Sequence, residues 1–298
     1  MTGEASPGYL PYPSVAQLIY NRLPGVRFIM LGRNPIERMY SSYQYNYVVP
    51  MIEDMKKGLV KWVEKGHEDD YYQKYLFSFE EMVVAELRHL QQNCLDEVNG
   101  TAITGAEKEY MEYGWVNDET LRRKEQGLPR LADIDGHCYG NRVNSHVLRQ
   151  QWNELQTANP EKVILDHNTH LIQSFIGRSL YALPLEWWYA RFGDAPIYFV
   201  CTEELSDTTG RGVAQVARFL GLPNYDFSET VQKGAFNVGG HRGYDKEVTW
   251  EVIANDTHHV SIDSVIPLSD EVLKQVKSFL QPYNERLFHL TGRRCRSW

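Results

Sequence analysis

The stretch Val26-Arg27-Phe28-Ile29-Met30-Leu31-Gly32-Arg33-Asn34-Pro35-Ile36-Glu37-Arg38-Met39-Tyr40-Ser41-Ser42-Tyr43 decides the fold class. Its first half is apolar from Phe28 to Leu31, follows Pro24-Gly25 and stops at Gly32. A short apolar run with little alternation predicts a strand covered on both faces, as in a parallel sheet. The second half carries helix-start chemistry. Asn34 is a strong N-cap, Pro35 suits the first helical position, and Glu37 falls three residues past the cap, where it is expected to bond back to the cap amide. A buried strand that runs straight into a capped helix is the unit from which α/β folds are built.

The same rhythm continues outward. Ser78-Phe79-Glu80-Glu81 predicts a second capped helix, with Met82, Val83, Leu87 and Leu90 at helical spacing. From Asn99 to His137 the periodicity gives way to Gly, Asp, Glu, Lys and Arg, which reads as a polar surface insertion at about 99–137. An aromatic-rich segment from Ile176 to Phe192 precedes a second apolar strand at Ile197-Tyr198-Phe199-Val200-Cys201. Val213, Val216, Ala217, Phe219 and Leu220 mark an amphipathic helix stopped by Gly221 and Pro223. A last helix opens at Ser269-Asp270-Glu271 and buries Val272, Leu273, Val276, Phe279 and Leu280, with Pro282 expected to kink or end it. No internal repeat or heptad run interrupts this order, so the expectation is one α/β domain over residues 1–298, a parallel sheet flanked by helices.

In open α/β sheets ligands gather at the carboxyl ends of the strands, and a helix N-terminus offers amide donors and a favourable dipole to an anion. Arg33 stands at that junction. Arg38 and Ser41 are three residues apart on one helix face, and Ser41 lies almost two turns beyond Asn34, so a guanidinium and a hydroxyl are placed to converge on a phosphate. Spacing alone leaves open the alternative that both arginines pair with Glu37 or other carboxylates and that Ser41 is solvated.

Composition excludes several classes. The chain has 31 Lys and Arg against 39 Asp and Glu, a net charge of -8, which gives no general attraction to nucleic acid or to anionic membranes. No apolar run approaches the roughly 18 residues of a membrane span, and the N-terminus lacks a signal-peptide layout, so no targeting segment is read in this chain. Four cysteines, Cys94, Cys138, Cys201 and Cys295, lack C-x-x-C spacing, which argues against zinc and leaves room for one or two disulfides. Cys201, inside an apolar strand, is expected to be a buried, inert thiol. The pairs His167/His170 and His258/His259 have no third ligand at metal spacing, so no metal is expected. Trp187-Trp188-Tyr189 reads as core rather than as a platform for sugar rings. Asn99 and Asn255 stand in N-x-[ST] sequons, acceptors for glycosylation in a luminal protein.

The run from Phe28 to Tyr43 resembles the 3'-phosphate-binding motif of Golgi carbohydrate sulfotransferases, a strand followed by L-R-N-P-x-x-R-A-Y-S-x-Y. The resemblance implies a P-loop-type sulfotransferase fold, with Arg33 and Ser41 holding the 3'-phosphate of 3'-phosphoadenosine 5'-phosphosulfate (PAPS). Gly3-Glu4-Ala5-Ser6-Pro7 is similar to the family's E-[KA]-S-P segment. Gly177 to Ala182, followed by Leu185-Glu186, Trp188 and the strand reaching Leu205, is similar to its G-x-Y-A-x-x-L-x-x-W segment, and Pro282 to Leu287 resembles its C-terminal helix. Substrate contacts are implied at Glu4 and Tyr181. The loop Asn237 to Tyr244 resembles a basic, glycine-rich loop over the nucleotide, which implies cofactor contacts from His241, Arg242 and Gly243.

Ala5, together with Asn93-Cys94 and the later Cys138, most resembles the N-acetylgalactosamine 4-sulfate 6-O-sulfotransferase branch, and implies a Cys94–Cys138 disulfide. The implied setting is the Golgi lumen and the implied acceptor a carbohydrate, with glycosaminoglycans as candidates. The family's catalytic loop of K-x-G-T type, with its Lys and a following Glu, does not occur in these 298 residues. It is expected upstream of Gly3, with the first strand of the fold. Two readings follow: a working sulfotransferase that needs that segment, or a catalytically inactive sulfotransferase-like protein that binds nucleotide or glycan.

Overall fold

The computed structural model describes residues 3–5, 8–10, 13–51, 74–98, 125, 144–164, 174–205, 210–233, 235–236, 247–248, 266–296 and 298. Helix α1 (Pro13–Arg22) precedes strand β1 (Phe28–Gly32), which passes through Arg33 and Asn34 into helix α2 (Pro35–Tyr43) and a short π-helical continuation, Gln44–Val48. Helices α3 (Phe79–Val98) and α4 (Asn144–Ala158) follow. A 3-10 turn, Gly177–Ser179, leads into α5 (Ala182–Phe192) and strand β2 (Ile197–Cys201). Short helices α6 (Thr202–Leu205), α7 (Arg211–Phe219) and α8 (Ser228–Lys233) come next, then the two-residue antiparallel strands β3 (Ala235–Phe236) and β4 (Glu247–Val248), and the long helix α9 (Asp270–Thr291).

β1 and β2 pair in parallel, with Phe28 opposite Ile197 and Gly32 opposite Cys201. The parallel arrangement is the expected one. The burial of β1 is not. Met30 is buried, but Ile29 is 38% and Leu31 52% exposed, so this strand alternates where the sequence predicts two covered faces. The register explains the difference. Ile29 and Leu31 lie beside Tyr198 and Val200 on the face where α7 covers β2, and that cover stops short of β1. Two apolar side chains are left open on one sheet face.

The helices start where local chemistry dictates. Asn34 Oδ1 accepts from the amides of Ile36 and Glu37 at the head of α2. Ser78 and Glu81 form a reciprocal capping box, the Ser78 amide donating to Glu81 at 2.7 Å and the Glu81 amide to Ser78 Oγ at 3.2 Å. Ser269 caps α9, and its own amide and hydroxyl donate to Glu80 in the first turn of α3, tying the two helices together. α9 does not end at Pro282. It runs on to Thr291 because Pro282 lies on its exposed side, where water can serve the carbonyl left without a partner.

Two apolar clusters result. One packs α2, α3 and Trp152 against Val272, Val276, Leu280 and Tyr283 of α9. The other packs β1, β2, Ala16 of α1 and the Trp188 face of α5 against Leu287 and Phe288, so α9 joins both. Trp187, Trp188 and Tyr189 are buried, as core residues should be. Leu273 and Phe279, expected in the core, are only partly buried at its margin. Apart from Glu125, the polar insertion at about 99–137 lies outside the described residues, as do both sequons.

Replacing Ile29 and Leu31 together by Thr puts β-branched side chains at both positions of the strand while removing apolar exposure. Light scattering of the 298-residue chain is expected to fall, with stability within about 0.5 kcal/mol of the parent for these exposed positions. Unchanged scattering would show that this face does not drive self-association.

Candidate functional site

The site lies at the carboxyl ends of the two parallel strands. β1 ends at Gly32 and delivers Arg33; β2 ends at Cys201 and delivers Glu203 in α6. Asn34 donates its amide to Glu203 Oε1 at 2.7 Å. The cap amide is thus taken by a carboxylate from the neighbouring strand, not by Glu37 as the local pattern predicts. Glu37 instead faces Arg33, Oε2 to Nε 3.4 Å, with the Arg33 side chain 28% exposed.

Arg33 is fixed through its backbone by Tyr181. The Arg33 amide donates to the Tyr181 hydroxyl at 3.4 Å, and that hydroxyl donates to the Arg33 carbonyl at 3.1 Å. Tyr181 is buried, and burial pushes its phenol pKa up, so the hydroxyl keeps its proton for the carbonyl. This places Tyr181 in support of Arg33, inside the molecule. Burial likewise pushes the Glu37 carboxyl above its ordinary range, against the pull of Arg33, with Glu203 adding to the rise.

Helix dipole and free amides are the usual attraction of a helix N-terminus for an anion. Here the amides are already engaged. Arg33 donates to Tyr181, Asn34 to Glu203, Ile36 and Glu37 to Asn34 Oδ1, and Arg38 to the Asn34 carbonyl at 2.9 Å; Pro35 has none. What remains for a phosphate is side-chain chemistry: the partly exposed Arg33 guanidinium and the Ser41 hydroxyl, which has no hydrogen-bond partner among the described residues. Both belong to the β1–α2 unit, with Ser41 about 10 Å along the helix axis from Asn34. They do not touch each other.

Arg38 is the counter-case, because it does not join Ser41 in facing a ligand. Its Nε donates to Ser179 Oγ at 2.8 Å, and its Nη2 donates to the carbonyls of Ser174, at 3.3 Å, and Phe175. The same turn is gripped from its other side by Glu86 of α3, which is 0% exposed. Glu86 accepts from the amides of Phe175, Ile176 and Gly177 at 2.8 to 3.0 Å and from the Ser174 hydroxyl. A guanidinium on the carbonyls and a carboxylate on the amides fix the turn that leads to Tyr181. Neither Glu86 nor Glu203 is given a role by the sequence pattern. Glu203 opens the Glu-x-Leu stretch that ends at Leu205, and the hint at Glu86 is chemical, a carboxylate on the apolar face of α3 beside Val83, Leu87 and Leu90.

Glu4 is exposed and accepts from the Tyr9 hydroxyl at 2.6 Å. His241, Arg242 and Gly243 lie outside the described residues, as does Cys138, so the Cys94–Cys138 pairing does too. Cys201 is buried, but it is not a thiol. It forms a disulfide with Cys295, a pairing that the sequence reading did not contain. Among the described residues no group of three His, Cys, Asp or Glu is placed to hold a metal ion, and no helix is long and apolar enough to cross a membrane.

No family model matches the chain. Its sequence is 19% identical over 314 residues to the membrane-associated sulfotransferase kil1 of Dictyostelium discoideum, taking in 98% of this chain and 52% of that protein. The chain therefore spans about half the length of the curated relative it matches and is distantly related to a sulfotransferase. That similarity does not reach the N-acetylgalactosamine 4-sulfate 6-O-sulfotransferase branch.

The two arginines are expected to separate on substitution. Arg38→Lys loses the planar fork that serves Ser179 and two carbonyls, and is expected to lower stability by about 2 kcal/mol in denaturant unfolding. Arg33→Lys is expected to stay within about 0.5 kcal/mol. Equal losses would mean that Arg38 is not the structural cation of the pair.

Proposed function

We propose that this chain carries the 3'-phosphate-binding part of a PAPS-dependent sulfotransferase acting on a carbohydrate hydroxyl. PAPS supplies the sulfuryl group; Arg33 supplies a cation for its 3'-phosphate and Ser41 a hydroxyl donor. The observation that carries this is the position of Arg33. It sits at the carboxyl end of a parallel strand, with its backbone held by Tyr181 and its side chain partly exposed beside Glu37. Distant kinship with a sulfotransferase over nearly the whole chain supports the same reading. His241, Arg242 and Gly243 would close over the nucleotide, and Glu4 would lie toward the acceptor.

Holding the 3'-phosphate binds and orients the donor but stabilises none of the charge that changes in the reaction. Transfer needs donors for the departing 5'-phosphate and a base for the acceptor hydroxyl. The 298 residues hold no Lys-x-Gly-[Thr/Ser] loop for the first task, so in this reading the donors for the 5'-phosphate are not supplied by a loop of that type in these residues. If no segment that supplies them works with this chain, it is a nucleotide- or glycan-binding protein without turnover. The buried Cys201–Cys295 disulfide favours folding in the oxidising lumen of the secretory pathway, which accords with a place in the Golgi lumen.

Arg33→Ala is expected to weaken binding of 3'-phosphoadenosine 5'-phosphate (PAP) by about 1.5 to 3 kcal/mol, the worth of a charge-assisted hydrogen bond, and to leave adenosine 5'-phosphate (AMP) nearly unaffected. Ser41→Ala is expected to follow the same pattern more weakly. Equal losses for both nucleotides in calorimetry would remove Arg33 from the 3'-phosphate.

Proton linkage gives an independent check. A ligand phosphate draws Arg33 away from Glu37, whose carboxyl is already above its ordinary range, and so favours the protonated acid. Affinity for PAP is then greater below the Glu37 pKa and falls as pH rises through it. Calorimetry in buffers of different ionisation enthalpy is expected to show more proton uptake on binding in the parent than in Glu37→Gln. The same uptake in both would place the ligand away from this pair.

A further inference from the structure

The segment that follows α9 returns to the site. Gly292 adopts φ 64°, a left-handed conformation that costs a glycine little, and ends the helix there. Beyond it, Arg293 donates to the Tyr198 hydroxyl at 2.7 Å, stacks its guanidinium 4.8 Å above the Tyr198 ring and pairs with Glu204. Cys295 is bonded to Cys201, the last residue of β2. Three anchors on β2 and α6 thus precede Trp298.

Trp298 lies between the two groups that fix the backbone of Arg33 and Asn34. Its Nε1 donates to Glu203 Oε1 at 3.2 Å, the oxygen that accepts the Asn34 amide. Its ring lies 5.5 Å from that of Tyr181, whose hydroxyl holds the Arg33 amide and carbonyl. Gly32 accommodates it. A Cβ there would come within 2.8 Å of the indole and 2.3 Å of the Phe199 ring, so glycine at the end of β1 is the residue that lets the indole close on the strand. The ring also meets Phe199 and Phe288, at 6.3 and 6.1 Å.

We propose that Trp298 is a positioning residue for the anion site, held in place by the Cys201–Cys295 disulfide, and that through Glu203 and Tyr181 it sets where Arg33 presents its guanidinium. This rests on the assignment of Arg33 to a 3'-phosphate. Trp298 itself does not touch the ligand. Its effect is on the geometry of the arginine, and it falls on ligands that carry a 3'-phosphate and not on those that lack one.

The test uses the full 298-residue chain with Trp298→Phe, which retains an aromatic ring against Tyr181 and removes the N–H, with Trp298→Ala, and with Cys295→Ala, which cuts the tether and leaves the indole. PAP and AMP binding are measured by calorimetry, and exchange of the Arg33 and Asn34 amides by hydrogen–deuterium mass spectrometry. Trp298→Phe is expected to weaken PAP binding severalfold through the displaced arginine, with AMP unchanged, while the lost bond to Glu203 lowers the melting temperature by no more than a few degrees. Trp298→Ala and Cys295→Ala are expected to speed exchange at Arg33 and Asn34 and to lower the PAP-to-AMP preference further. Parent-like PAP preference and parent-like exchange in Trp298→Ala would overturn the proposal. If the parent does not prefer PAP over AMP, the assignment of Arg33 fails, and the exchange measurement still decides whether Trp298 holds the Arg33 backbone.

Discussion

Gly32 lies opposite Cys201 on the last rung of the β1–β2 ladder, and the contacts of the site descend from that register. It brings Arg33 and Asn34 level with Thr202 and Glu203, so that a backbone amide on one strand's exit meets a carboxylate on the other's. A slip of one residue would turn Phe28 and Met30 to the open face and Ile29 and Leu31 into the core. It would also carry Asn34 out of reach of Glu203. The same rung carries the disulfide, because Cys201 is bonded to Cys295, and so the segment bearing Trp298 is fixed to the strand that fixes the cap.

Local chemistry made much of the fold legible. Asn34-Pro35 opening α2, Ser78-Glu81 opening α3 and Ser269 opening α9 are decided by atoms within four residues of each other, and the structure forms all three starts. The apolar runs at Phe28 and Ile197 became the paired parallel strands for a similar reason. What was illegible is long in sequence and short in space. Glu203 reaches an amide 169 residues away, Glu86 a set of amides about as remote as its 89 residues to Phe175, and Cys201 a partner 94 residues on. No spacing rule encodes such pairs, since they depend on how elements stack.

Arg38 and Glu37 show a second kind of limit. Both stand at positions where helix geometry allows a ligand-facing or a cap-facing role, and the neighbours decide. Arg38 turns to the 174–179 turn, where the Ser179 hydroxyl and the carbonyls of Ser174 and Phe175 accept from it, and Glu37 turns to Arg33 because Glu203 already serves the cap. The burial of β1 diverged for the same reason. A run of four apolar residues reports hydrophobicity, not whether a helix will lie over each face.

The central claim, that Arg33 and Ser41 are the donors for a 3'-phosphate, is tested most directly by determining the structure of the 298-residue chain with PAP bound. The 3'-phosphate oxygens are expected within about 3 Å of the Arg33 guanidinium and the Ser41 hydroxyl, hydrogen-bonding distance for such groups, with Glu37 displaced from Arg33 and Arg38 still on Ser179. A nucleotide whose 3'-phosphate lies elsewhere, with Arg33 still paired to Glu37, would contradict it.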